Sequence, residues 1–132
     1  MIEGLDRVEV ITVFVEDLES AKAFYGGVFG LETVYEDDNS AVVALDNLMI
    51  NLLVAAAADT LVEPRTVGGS DSGPRVLFTI RVTDVDVVCG ELARHGVALL
   101  NGPVDRPWGR RTAAFADPAG NVWEVAQVLA DA

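Results

Sequence analysis

The sequence predicts an α+β fold of two tandem βαβββ modules, whose half-sheets curl into a half-barrel cup. Three observations lead there. A strand, an acidic N-cap, a helical stretch and a glycine follow one another twice, about half a chain apart. Short β-patterned runs trail both helical stretches, and an Asp-Pro-x-Gly turn closes a hairpin near the C-terminal end. Two such units bury their apolar faces most simply by sharing one core.

The first module is expected at about residues 5–54. Val8 to Val15 is almost continuously apolar and β-branched, which predicts a strand covered on both faces. Asp17 is placed to cap a helix whose face is Leu18, Ala21, Phe24, Tyr25 and Val28, with Gly30 as the closing glycine. Three short strands follow at Glu32 to Glu36, Ala41 to Leu45 and Leu48 to Val54, separated by Asp37-Asp38-Asn39 and Asp46-Asn47. From 55 to 74 periodicity fades, and Pro64, Gly68, Gly69, Gly73 and Pro74 predict a linker, either a lid, a crossover or a disordered connection.

The second module, at about 75–128, repeats the first. Ile80-Arg81-Val82-Thr83-Asp84-Val85 corresponds to Val13-Phe14-Val15-Glu16-Asp17-Leu18. A strand at Val76 to Val82 leads to the cap Asp84, a helix with Val85, Val88, Cys89 and Leu92 on one face, and His95-Gly96 at its end. Strands at Val97 to Leu100, Arg110 to Ala116 and Asn121 to Val128 complete it. In Asp117-Pro118-Ala119-Gly120 the Asp accepts backbone bonds, the Pro presets φ and the Gly takes the left-handed position.

Composition narrows the function classes. Nine Lys+Arg against 21 Asp+Glu leave a net charge of −12, which repels phosphate backbones and anionic lipid surfaces, so neither nucleic acid nor membrane is an expected partner. The charge serves solubility or forms an acidic cleft for cationic ligands. Met1 to Asp6 lacks a basic, then apolar, leader pattern, and a cytoplasmic location is expected. Cys89 is the one cysteine and reads as a small helical residue, because nothing basic nearby would lower its pKa. His95, the sole histidine, reads as a surface residue at a helix end.

Val15-Glu16-Asp17-Leu18 leading to Phe24-Tyr25 and Gly30-Leu31, then Val82-Thr83-Asp84-Val85 leading to Gly96-Val97, then Asp117-Pro118-Ala119-Gly120-Asn121 and Glu124, together resemble the vicinal oxygen chelate superfamily. That superfamily contains the glyoxalase, bleomycin-resistance and extradiol-dioxygenase families. The resemblance covers nearly the whole chain and implies the fold far more narrowly than the function, since the fold serves lyases, dioxygenases and metal-free drug-binding proteins alike. Metal-using members carry ligands on the inward faces of four strands. The matching positions here are Val10, Leu77, Asn51 and Glu124, of which only Glu124 keeps good ligand chemistry. No metal is therefore expected in the usual place, and no cofactor. The resemblance also implies a homodimer, with the cup formed within one chain or across two.

Strand phase predicts the cup lining: Val10, Thr12, Phe14, Met49, Asn51 and Leu53 from the first module, and Leu77, Thr79, Val122, Glu124 and Ala126 from the second. The lining is mostly apolar with a few polar groups, as in a small-molecule site, or it is simply core. Pro107-Trp108-Gly109-x-Arg111 resembles a segment that bleomycin-resistance-like members carry at the cleft mouth, where Trp108 would stack on a ligand or cap the barrel end. Arg111 is a candidate ion-pair partner for Glu124, and Arg81 shares the inward phase.

Two functions compete. The first is a metal-independent binding protein for a cationic or aromatic natural product such as an antibiotic, contacting it through Thr12, Phe14, Asn51, Thr79, Arg81, Trp108, Arg111 and Glu124. The second is a glyoxalase-like or dioxygenase-like enzyme in which Glu124 is general base or metal ligand and Arg81 or Arg111 stabilises negative charge.

Overall fold

The computed structural model of the chain describes residues 1–130. The chain divides into two compact units, one ending at Gly69 and the other beginning at Ser70. The first contains β1 (Val10–Val15), α1 (Leu18–Gly27), β2 (Thr33–Glu36), β3 (Ser40–Ala44) and β4 (Met49–Val54), then a 3₁₀ turn (Ala55–Ala57) and α2 (Asp59–Val62). The second contains β5 (Leu77–Arg81), α3 (Val85–Arg94), β6 (Leu99–Arg106), β7 (Arg110–Ala116) and β8 (Val122–Val128). Each unit is thus βαβββ around a four-stranded mixed sheet, ordered β1-β4-β3-β2 in one and β5-β8-β7-β6 in the other. In both, the first and last strands of the module lie parallel at one side while the remaining pairs are antiparallel.

Local chemistry explains the elements. Asp17 Oδ1 accepts from Ser20 N at 3.2 Å and Asp84 Oδ1 from Val87 N at 3.2 Å, so both expected N-caps hold their first helical turns. Helix α1 ends sooner than its apolar spacing implies: Val28 is the C-cap, and Gly30 at φ +70° follows it as Leu31 N closes on Tyr25 O. Its buried face, Ala21 and Tyr25, sits among tilted aromatic contacts with Phe24 and Phe29. In the second unit Trp123 is buried and its ring lies 4.9 Å from that of Phe78, which carries the core on the face opposite Glu124.

Three expectations change. The first strand begins at Val10, and only its Val13 and Val15 face is buried, leaving Val10 37% exposed; an apolar run alone does not reveal that one side lacks cover. The segment from 55 to 74 is partly helical, because four successive alanines favour helical turns and Ala58 is fully buried. Strand β6 runs on to Arg106, well past Leu100, through a register shift between Asn101 and Val104. Gly102 makes that irregularity possible: its φ is +86°, and a Cβ there would strike Thr112 O and approach Ala113 Cα to 2.8 Å. Among the described residues no helix is long and apolar enough to cross a membrane.

Candidate functional site

The strand ladders decide which side chains share a face. In the first unit Val10, Thr12 and Phe14 stand opposite Met49, Asn51 and Leu53. In the second, Leu77, Thr79 and Arg81 stand opposite Val122, Glu124 and Ala126. Each predicted set is therefore one continuous face of its own sheet. The two faces carry the same device at the same level, a threonine on the module's first strand facing a longer polar side chain on its last. Asn51 Nδ2 donates to Thr12 Oγ1 at a long 3.5 Å, and Thr79 Oγ1 donates to Glu124 Oε1 at 3.0 Å. Glu124 is half-buried, and its Oε2 makes no bond among the described residues, leaving an acceptor directed from a largely apolar strip.

Arg111 does not reach Glu124. The β7·β8 ladder sets Ala114 opposite Glu124 and Arg111 opposite Gln127, so Arg111 emerges on the other face. There its Nε and Nη2 donate to the two carboxylate oxygens of Asp105 at 2.7 and 3.4 Å, and its Nη1 donates to Asp86 Oδ2 at 3.0 Å. The hydrogen bond from Arg111 holds the Asp105 carboxyl below its ordinary range, and the same pair, with the charge of Asp86, raises the guanidinium. Arg111 is thereby committed to tying β6, β7 and α3 together.

The β7 arginine that shares the Glu124 face is Arg110, opposite Val128. Sequence reasoning passed it over, because a four-residue turn at Asp117 to Gly120 would set Arg111 in phase with Glu124, whereas five residues separate Ala116 from its partner Val122 and the phase shifts to Arg110. Arg106 stands opposite Arg110 across the β6·β7 ladder. Its Nε donates to Thr112 Oγ1 at 3.0 Å and its Nη2 to Asn101 Oδ1 at 3.3 Å. Its Cζ lies 6.0 Å from the centre of the Trp108 ring, at the limit of a cation–π contact. Trp108 sits in the turn between β6 and β7 and is 68% exposed, so it caps nothing within its unit and presents its ring to solvent. At the same end of the sheet an open groove of about 450 Å³ is lined by Arg81, Val82, Thr83 and Val128.

Cys89 and His95 belong to α3 and its C-cap rather than to the strand faces. Cys89 lies part-buried on α3, and burial, then the charge of Asp86, push its thiol up, away from the reactive thiolate. His95 is the exposed C-cap of α3. The donor set does not fit a divalent metal. Val10 and Leu77 offer no donor, Asn51 offers a neutral amide, and among the described residues no three His, Cys, Asp or Glu side chains are grouped to hold an ion.

This pairing of βαβββ units has known counterparts. The profile of the Glyoxalase/Bleomycin resistance protein/Dioxygenase superfamily matches residues 5–125. The chain belongs to this superfamily. Among solved structures it is similar to TnmS3, an antibiotic binding protein from Streptomyces sp. CB03234, at 30% identity with a TM-score of 0.71, covering 95% of this chain and 98% of that one. A superfamily member from Nocardioides superposes with a TM-score of 0.84 at 20% identity, over 95% of this chain and 85% of that one. The lactoylglutathione lyase of Agrobacterium tumefaciens gives 0.73 at 23% identity, over 95% and 96%. At that identity the last two speak for the superfamily fold alone.

Proposed function

We propose that this superfamily member is a metal-independent binding protein for a small aromatic ligand of the natural-product or antibiotic kind. One observation carries the reading. Where metal-using members need ligands, this chain has Val10 and Leu77, and its two polar survivors are engaged by threonines on the facing strands. What is left on each sheet is a mostly apolar face with a few fixed polar atoms, and in the second unit an exposed indole at the sheet's end, the composition of a binding surface. The likeness to the Streptomyces antibiotic binding protein supports it. The competing reading, an enzyme using Glu124 as base or ligand, is less favoured because among the described residues no three His, Cys, Asp or Glu side chains are grouped to hold a Lewis-acidic metal.

Elemental analysis of protein purified without chelator, followed by melting curves with zinc, nickel, manganese and iron(II), tests this reading. No stoichiometric metal and no shift are expected. A bound metal whose stabilisation disappears in Glu124→Ala would overturn the metal-independent reading and put the enzyme reading ahead. The proposal includes a homodimer, supported by exposed apolar side chains such as Val76 and Leu77, 57% and 52% accessible. Sedimentation equilibrium should return twice the chain mass of 14.0 kDa; a single chain mass would remove the dimer.

A further inference from the structure

Three arginines collect on one face at one end of the second sheet, in a chain whose net charge is −12. Arg81 lies opposite Ala126 on one side of β8, and Arg110 opposite Val128 on the other. Arg106 lies opposite Arg110 one strand further out. Strands β5 and β7 are two ladder spacings apart, about 10 Å, so long guanidinium side chains from both can converge over Val128.

Their grouping without a bonded counter-charge is the informative feature, since among the described residues Arg7, Arg65 and Arg75 also lack a carboxylate partner but do not belong to the cluster. Lys22, Arg94 and Arg111 all have carboxylate partners, with Glu19 and Glu36, Glu91, and Asp86 and Asp105 respectively. The side chains of Arg81 and Arg110 make no hydrogen bond or ion pair among the described residues, and the side-chain bonds of Arg106 go to the neutral oxygens of Thr112 and Asn101. Arg106 and Arg110 are both half-buried and directly opposite, an arrangement that repels across a ladder. A chain with 21 acidic residues had many ways to neutralise this pair, and the other face does so for Arg111. The 450 Å³ groove lined by Arg81, Thr83 and Val128 opens beside the cluster, and the Trp108 ring stands at the neighbouring turn.

We propose that this end of the second sheet binds the carboxylate of an aromatic acid, with Arg81 and Arg110 as the anion contacts, Thr83 as an added donor and Trp108 as the stacking surface. The inference rests on the binding reading above and gives the ligand a sign opposite to the one the whole-chain charge suggests. Planar guanidinium groups suit a carboxylate in two-point contact, and indole suits the ring attached to it.

Isothermal titration with 1-naphthoate, 1-naphthamide and 1-naphthylmethylammonium tests it on the intact protein. Naphthoate should bind at least about tenfold tighter than either analogue, and Arg81→Gln and Arg110→Gln should each weaken naphthoate by about tenfold while leaving naphthamide unchanged. Arg81→Gln removes an exposed side chain with no partner to lose, so it carries the test should Arg110→Gln disturb folding. Equal or tighter binding of the amide or the ammonium overturns the anionic site and leaves the binding reading intact. Failure of all three to bind overturns both. Unchanged naphthoate affinity in Arg81→Gln also overturns the site.

Discussion

Arg110 and Arg111 are neighbours in sequence with opposite circumstances, and the difference follows from strand parity alone. Arg111 meets Asp105 and Asp86 on one face, whereas Arg110 meets Arg106 on the other. Neutralising Arg110 should therefore stabilise the ligand-free protein: Arg110→Gln is expected to gain a few tenths to about 1 kcal/mol in urea unfolding, because a like-charge cross-strand pair disappears. A clear loss would show that Arg110 has a stabilising partner. Asp37 offers a pH test. Its carboxyl is lowered from 3.8 chiefly by the Asn39 N–H, then by the Ser40 hydroxyl, with the Ser40 N–H and Tyr35 hydroxyl adding to the effect. A lowered carboxyl contributes stability that is present above its unfolded pKa and lost as pH falls through its folded one. The stability gap between wild type and Asp37→Ala should thus be full at neutral pH and narrow as pH falls through 3.8 and below. A gap independent of pH would contradict the assignment. At this scale the shared face of Glu124 and Thr79 and the turn position of Trp108 were legible, because strand alternation and a glycine-containing turn are written in the sequence. The pairing of Arg111 was not, since its partners Asp86 and Asp105 come from a helix and a strand that only folding brings together.

Among the elements, the β7·β8 hairpin was the most completely readable. Asp117 Oδ1 accepts from Ala119 N and Asn121 N, both at 2.9 Å, and Gly120 takes φ +90°, as the turn chemistry demands. Strand β6 was the least readable, because its continuation depends on a glycine-centred register shift that interrupts the alternation of apolar and polar residues. The alanine run before α2 was similarly mute, having helix propensity but no amphipathic period. Gly102 is the residue on which β6 depends. Gly102→Ala must move backbone rather than a flexible side chain, since the added Cβ meets Thr112 O and Ala113 Cα. It should cost about 3 kcal/mol or more in chemical denaturation. A variant of wild-type stability would mean that β6 lacks this close approach.

In the whole molecule, the repetition of one βαβββ plan was visible as a recurrent strand, cap and helix, and the two sheet orders repeat it in space. What repetition could not convey is how the copies have diverged. Thr12 and Asn51 keep a neutral pair in the first unit, while Thr79 and Glu124 carry charge at the equivalent place in the second, with Arg81 one pleat beyond. The proposed site therefore falls in the second unit, although the net charge of the chain hides its basic end. Backbone amide chemical shifts during titration with 1-naphthoate measure this most directly. The account predicts that the largest changes fall at Thr79 to Thr83, Ala126 to Val128 and Trp108 to Arg110. Changes centred instead on Thr12, Asn51 and their neighbours in the first unit, or no saturable changes anywhere, would contradict it.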